Sequence, residues 1–202
     1  MRPCAASLPA DTVVVTPLRL AATLLMLALP AALAAQQRGT PTAVLVRGPE
    51  VGRRAPDFSL PWATKDTIGA EPFTLSHALG RIVVLAFYPR DFTKTCTAEW
   101  QGLAAQREAL FGPDVTVVGI SIDSIATHRR FAASLDLPYM LLSDPTQQVA
   151  RKYGAAGDDG VNRRALYVIG KDGKVIWRDT QFNVIDPKEY EALGRAIAEA
   201  RR

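Results

Sequence analysis

The sequence predicts an α/β fold in which a mixed central sheet is covered by helices on both faces. Apolar, strand-like runs alternate with segments whose apolar residues recur at helical spacing, in the order β-α-β-α-β-α-β-β-α from residue 82 onward. The last two strands flank a short turn at residues 171–173, which predicts a hairpin and therefore an antiparallel pair.

The individual elements are identified by apolar runs and by residues suited to helix starts. We expect strands at residues 72–76, 82–88, 115–122, 139–142, 165–169 and 174–177. A helix that includes Cys96 in its first turn should carry an apolar face as far as Phe111. The starts of three further helices are predicted at Ser124, at Asp144 with Pro145, and at Asp186 with Pro187.

Residues 1–35 have the pattern of an export signal. Arg19 precedes an apolar run at 20–29, and Ala32-Leu33-Ala34 offers a cleavage site between small residues. The run is too short for a comfortable membrane span, so we expect a cleaved, exported, periplasmic protein without stable membrane insertion; the alternative is an uncleaved anchor. Residues 36–50 predict a flexible linker, and residues 51–202 predict a single domain.

The composition argues against several classes of function. The formal net charge is +4, and the arginine pairs are scattered along the chain, so no nucleic-acid partner is expected. The sequence contains no cluster of metal ligands and no glycine-rich phosphate loop, so no metal or other cofactor is expected. The two cysteines are Cys4 and Cys96, and Cys4 lies in the expected signal. The mature chain would therefore keep one thiol and form no internal disulfide.

Cys96 lies where a buried strand is followed by a helix. The apolar run at 82–88 precedes it, and Trp100 and Leu103 continue a helical apolar face after it. The N–H groups of a first helical turn have no partner within the helix, and the helix dipole favours an anion there. We therefore expect this thiol to ionise more easily than a free cysteine and to act as a nucleophile.

The motif Pro89-x-x-x-Thr93-x-x-Cys96 resembles the active-site signature of the peroxiredoxins, which are thiol peroxidases with a thioredoxin-like fold. The neighbouring Phe87-Tyr88-Pro89 and Cys96-Thr97 look most like the branch of bacterioferritin comigratory proteins. Ala55-Pro56-Asp57-Phe58-Ser59-Leu60 is similar to an opening segment common in the family. The resemblance covers about residues 50–200 and favours the thioredoxin-like fold among the α/β folds.

The resemblance implies reduction of hydrogen peroxide or organic hydroperoxides through a cysteine sulfenic acid. It assigns the nucleophile to Cys96, a hydroxyl that contacts peroxide and thiolate to Thr93, and the shielding of the sulfur to Pro89. Arg164-Ala165-Leu166-Tyr167 resembles the family's Arg-x-x-Phe/Tyr strand, whose arginine contacts the sulfur. This match favours Arg164 over Arg163 as the cation.

The sequence differs from many relatives of this branch at the position of the second, resolving cysteine. That cysteine lies five residues after the first, where this chain has Gln101. The sulfenic acid would then be reduced by an external thiol, either a thioredoxin-like protein or a small thiol. The oligomeric state, monomer or homodimer, is left open.

Two other classes of function are compatible with an exported thioredoxin-like fold. An exported thioredoxin-like disulfide oxidoreductase would need Cys-x-x-Cys, but this chain has Thr93 in place of the first cysteine. A non-catalytic thiol sensor or binding module is disfavoured because Pro89, Thr93, Cys96 and Arg164 occur together.

The roles of several nearby residues follow less directly from the sequence. Glu99 either orients an arginine or lies on the helix surface, and these two readings are left open. Trp100 is expected in the core, His128 is expected to be packed on its helix rather than to act as a base, and His77 lies in a loop-like region.

Overall fold

The computed structural model describes residues 47–202. The strands are β1 (Ser59–Leu60), β2 (Trp62–Ala63), β3 (Phe73–Thr74), β4 (Ile82–Phe87), β5 (Val115–Ser121), β6 (Met140–Ser143), β7 (Ala165–Ile169) and β8 (Val175–Asp179). The helices are α1 (Lys94–Ala105), α2 (Arg107–Leu110), α3 (Ile125–Ser134), α4 (Gln148–Lys152) and α5 (Pro187–Ala200), and a 3₁₀ turn spans Leu75–Ala78.

Six strands form one mixed sheet with the order β2-β6-β5-β4-β7-β8, and β1 pairs with β3 in a separate two-stranded sheet. The central strand β4 runs parallel to β5 and antiparallel to β7. The hairpin of β7 and β8 is antiparallel, as predicted. The predicted α/β class with a mixed sheet is therefore confirmed, and the fold is thioredoxin-like.

Alternate residues of β4 belong to the two halves of the core, as the two-residue period of a strand requires. Val84 and Ala86 pack in a cluster with apolar residues of α1, α3 and α5. Leu85 and Phe87 pack in a second cluster with residues of α4, the 3₁₀ turn and the segment at 55–60. All six residues of β4 are buried, which explains why this strand is apolar along its whole length.

The predicted helix from Cys96 to Phe111 is in fact two helices that meet at Gln106. One straight helix would place Arg107 on the buried face, because it lies seven residues after Trp100 and four after Leu103. The chain instead starts a new helix at Arg107, whose side chain is exposed, and Phe111 still reaches the core.

The prediction for the start of α4 was wrong. Pro145 lies before the helix, which begins at Gln148, and Gln147 takes a left-handed conformation with φ of 54°. Asp144 nevertheless caps this helix from a distance, since its carboxylate accepts the N–H groups of Gln148, Val149 and Ala150 at 2.9, 3.0 and 2.9 Å. The caps predicted at Ser124 and Asp186 are confirmed by their bonds to Thr127 N and Lys188 N.

The predictions for residues 1–46 lie outside the described residues; these include the export signal, Cys4 and most of the linker at 36–50. Across residues 47–202, no helix combines the length and apolar character that a membrane crossing requires.

Candidate active site

The pairing of β4 with β7 brings two distant parts of the chain together at one end of these strands. Phe87, the last residue of β4, lies opposite Ala165, the first residue of β7. Because the strands are antiparallel, the loop at 88–93 follows β4 at the same end of the sheet at which Arg164 precedes β7. Helix α1 begins directly after this loop, so its first turn and Arg164 are neighbours.

Cys96 lies in the first turn of α1 and is buried, with 1% of its surface exposed. Thr93 precedes the helix in an extended conformation, and its side chain makes no capping hydrogen bond. The first helical hydrogen bond runs from Thr97 N to Thr93 O at 2.8 Å. The N–H groups of Lys94, Thr95 and Cys96 are therefore not used by the helix and are available to an anion beside the sulfur.

Arg164 contacts both acidic groups of this site. Its Nη2 lies 3.6 Å from Cys96 Sγ, and its Nη1 donates to Glu99 Oε2 at 2.5 Å. The Arg164 side chain is only 14% exposed, so these contacts are poorly screened by water. Arg163 instead pairs with the exposed Asp158 at 2.8 Å and does not contact the sulfur.

The role of Glu99 was left open by the sequence, and the structure shows it fully buried against Arg164. Burial raises the pKa of the Glu99 carboxyl from 4.5 to about 7, and the charge and hydrogen bond of Arg164 offset part of this rise. Glu99 Oε1 is buried and has no hydrogen-bond partner. The side chain is thus oriented toward Arg164 and does not belong to the helix surface.

Thr93 and Pro89 lie in the loop that precedes α1, as their spacing requires. Thr93 is exposed, and its hydroxyl donates to Arg90 O at 3.1 Å. The hydroxyl proton is thus hydrogen-bonded to a carbonyl, and the lone pairs of Thr93 Oγ1 can still accept a hydrogen bond. Pro89 is half-buried at the start of the loop.

A buried polar network behind the same loop was not predicted. Asp91 accepts a hydrogen bond from Tyr88 Oη at 2.6 Å and lies 2.8 Å from His128 Nδ1. His128 is packed on its helix, as expected, and is fully buried. A histidine on an inner helix face requires a polar partner, which was the available signal, but nothing in the sequence pointed to Asp91.

These features define a class of protein. The structure combines a thioredoxin-like sheet with a cysteine in the first turn of the helix after a central strand, next to a partly buried arginine. A model of the AhpC/TSA family matches residues 51–178. The chain belongs to this family, the peroxiredoxins, which are thiol-dependent peroxidases.

Individual relatives agree with this assignment. The chain is 33% identical over 156 residues to the peroxiredoxin bcp of Coxiella burnetii. This match covers 72% of this chain and 97% of the relative. It is 30% identical over 138 residues to peroxiredoxin Bcp of Bacillus subtilis, covering 64% and 85%. Among solved structures, the reduced 2-Cys peroxiredoxin of Plasmodium vivax superposes with a TM-score of 0.65 at 30% identity, covering 75% of this chain and 96% of the other.

Proposed function

We propose that this chain reduces hydrogen peroxide and organic hydroperoxides by a one-cysteine mechanism, with Cys96 as the nucleophile and an external thiol as the reductant. The observation that carries the proposal is the distance of 3.6 Å between Arg164 Nη2 and Cys96 Sγ. A guanidinium at this distance places a positive charge beside the sulfur, whose nucleophilic form is the thiolate.

In the first step, the Cys96 thiolate attacks one oxygen of the peroxide and the O–O bond breaks. The sulfur becomes a sulfenic acid, and the other oxygen leaves as hydroxide or alkoxide, which takes up a proton to give water or an alcohol. Arg164 and the N–H groups of the first turn of α1 stabilise the charge that develops on the leaving oxygen. The Thr93 hydroxyl, whose proton is bound to Arg90 O, accepts the hydrogen bond of the peroxide.

In the second step, an external thiol attacks the sulfenic sulfur and releases water, which leaves a mixed disulfide. A second thiol then attacks this disulfide and returns Cys96 to the thiol. The resolving position of the related branch holds Gln101, and the only other cysteine of the sequence is Cys4. A thioredoxin-like protein or a small thiol would serve as reductant.

Intact-mass spectrometry after one equivalent of hydrogen peroxide tests this mechanism. We expect the mature protein to gain the mass of one oxygen atom and to lose it again after thiol is added. Cys96→Ser should gain no oxygen and show no turnover in a stopped-flow peroxide assay. Turnover by Cys96→Ser, or an internal disulfide in the oxidised wild type, would contradict the proposal.

We also propose that the protein is exported to the periplasm as a monomer or homodimer, with residues 1–35 removed. The support is the arrangement of Arg19, the apolar run and Ala32-Leu33-Ala34 in the sequence. Mass spectrometry of the protein from a periplasmic fraction would give its first residue, and ultracentrifugation of the same sample would give its assembly state. Recovery of the full-length chain from the cytoplasm would contradict the export proposal.

A further inference from the structure

His128, Asp91 and Tyr88 form a buried cluster that supports the loop carrying Thr93. The side chains of His128 and Asp91 are both fully inaccessible to solvent. Asp91 Oδ1 accepts the Tyr88 hydroxyl, and Asp91 Oδ2 faces His128 Nδ1. On the other side of the ring, His128 Nε2 lies 3.1 Å from the carbonyl oxygen of Leu142 in β6. The imidazole therefore joins the loop at 88–93, named the catalytic loop below, to α3 and β6.

The hydrogen bonds of this ring require a definite number of protons. A carbonyl oxygen only accepts, so the bond to Leu142 O places a hydrogen on Nε2. The contact of 2.8 Å between Nδ1 and Asp91 Oδ2 then requires one further proton between these two atoms. A neutral imidazole beside an ionised Asp91 can make one of the two bonds but not both. The pair therefore makes all its hydrogen bonds only while it shares this proton.

The groups that face the pair are acidic or neutral. Asp91 N donates to Asp123 Oδ2 at 2.9 Å, so a second carboxylate lies beside the loop from the end of β5. The short bond of 2.6 Å from Tyr88 to Asp91 is typical of a charged acceptor. Trp100 of α1, which packs against Tyr88, carries no charge. Within residues 47–202, no lysine or arginine forms an ion pair with Asp91 or Asp123.

We propose that His128 is a positioning residue that holds the catalytic loop in place through Asp91 by means of this shared proton. Asp91 lies two residues before Thr93 and five before Cys96, so a displacement of Asp91 moves the start of α1. When the proton is lost, one of the two hydrogen bonds of the ring is lost with it. Either the Asp91 carboxylate faces a lone pair on Nδ1, or Nε2 no longer donates to Leu142 O. The loop then becomes less well ordered, and peroxide reacts with Cys96 more slowly.

The role in catalysis rests on the proposed peroxidase function, but the shared proton does not. Asp91→Asn is the matched variant, because the asparagine amide can donate to Nδ1 of a neutral ring while its oxygen still accepts from Tyr88. All the hydrogen bonds of the cluster are then made without the extra proton. His128→Leu removes both bonds of the ring and serves as the disrupted variant.

The first measurement is an NMR titration of the histidine ring nitrogens in the folded mature protein, with the exposed His77 as an internal reference. We expect hydrogens on both ring nitrogens of His128 in the wild type and on Nε2 alone in Asp91→Asn, under the same neutral conditions. A wild-type His128 with one ring hydrogen would overturn the proposal, whether or not the protein reduces peroxide.

The second measurement compares unfolding in urea and peroxide reactivity between about pH 6 and about pH 9, the range in which histidine protons are usually lost. For each protein the value at the upper pH is divided by its own value at the lower pH. For the folding equilibrium constant, this ratio should be about tenfold smaller in wild type than in Asp91→Asn. The oxidation rate of its Cys96 should also fall relative to that variant. Equal ratios in the two proteins would overturn the proposal.

His128→Leu separates this role from simple packing. We expect a lower oxidation rate at every pH and no additional fall at alkaline pH, because the proton-dependent contact is absent. An alkaline fall in His128→Leu as steep as that of wild type would assign the effect to another group and contradict the proposal.

Discussion

At the scale of single residues, the site depends on one cation that contacts two acidic groups. Arg164 binds Glu99 through one nitrogen and approaches Cys96 through another. Glu99 holds the guanidinium in place, and its own burial makes a permanent negative charge costly. One guanidinium therefore contacts the buried carboxyl and the sulfur at the same time.

We predict that loss of Arg164 slows the oxidation of Cys96 by about 10²–10³-fold, the range for removal of a group that stabilises developing charge. Arg164→Ala alone would leave Glu99 unpaired and risk unfolding, so the variant of choice is Arg164→Gln combined with Glu99→Gln. Arg163→Ala is the control, because this neighbour contacts only the exposed Asp158. Stopped-flow fluorescence gives the rates, and an unchanged rate in the double variant would remove the role of Arg164.

A second prediction concerns Glu99 and the pH dependence of stability. The pKa of this carboxyl is about 7 in the folded protein and 4.5 in its ordinary state. Between these values the unfolded chain releases a proton that the folded chain retains, so stability falls as pH rises through this window. Relative to Glu99→Gln, wild type should lose up to about 3 kcal/mol of unfolding free energy. Urea titrations at several pH values measure this, and parallel curves would contradict it.

At the scale of elements, the structure shows how far sequence patterns reach. The strands with long apolar runs and the helices capped by Ser124 and Asp186 were predicted well, because their signals are local. The start of α4 was not, because Asp144 can satisfy three N–H groups from outside the helix after a turn through Gln147. The break at Gln106 was missed because it depends on which side of α1 faces the core.

The capping role of Asp144 gives a prediction at this scale. Asp144→Ala leaves three N–H groups of α4 without an acceptor, and two of these bonds are buried. We expect a loss of about 2–3 kcal/mol in unfolding free energy. Ser124→Ala is the matched control, since it removes one capping bond to Thr127 N, together with an exposed side-chain bond to Thr127 Oγ1, and should cost about 1 kcal/mol. Equal losses in urea unfolding would show that the longer-range cap adds nothing.

At the scale of the whole molecule, the site is assembled from parts of the chain that sequence patterns alone could not place together. Cys96 and Thr93 lie three residues apart in the motif, but Glu99 pairs with an arginine that lies 65 residues later. Asp91 and His128 are separated by 37 residues. The resemblance to the peroxiredoxins placed Arg164 near the sulfur, whereas the partners of Glu99 and His128 became evident only from the packed structure.

The single thiol of residues 47–202 also has a consequence for the whole molecule. Without a reductant, the sulfenic acid has no cysteine in this part of the chain with which to condense. Excess peroxide should therefore drive Cys96 to the sulfinic state, seen as a gain of two oxygen atoms that added thiol does not reverse. Prior addition of a small thiol should prevent the second oxidation. A stable sulfenic acid under excess peroxide would contradict this expectation.

The pairing of Phe87 with Ala165 has an evolutionary consequence. Each residue inserted into or deleted from β7 would shift Arg164 along the sheet by about 3.3 Å, more than the tolerance of a hydrogen bond. Changes in length are thus compatible with chemistry only in connections such as 171–173, whereas substitutions on exposed surfaces leave the spacing intact. The hydrogen-bond register of β4 and β7 therefore fixes the position of Arg164 relative to Cys96. We expect related sequences to differ mainly in loop length and in surface residues.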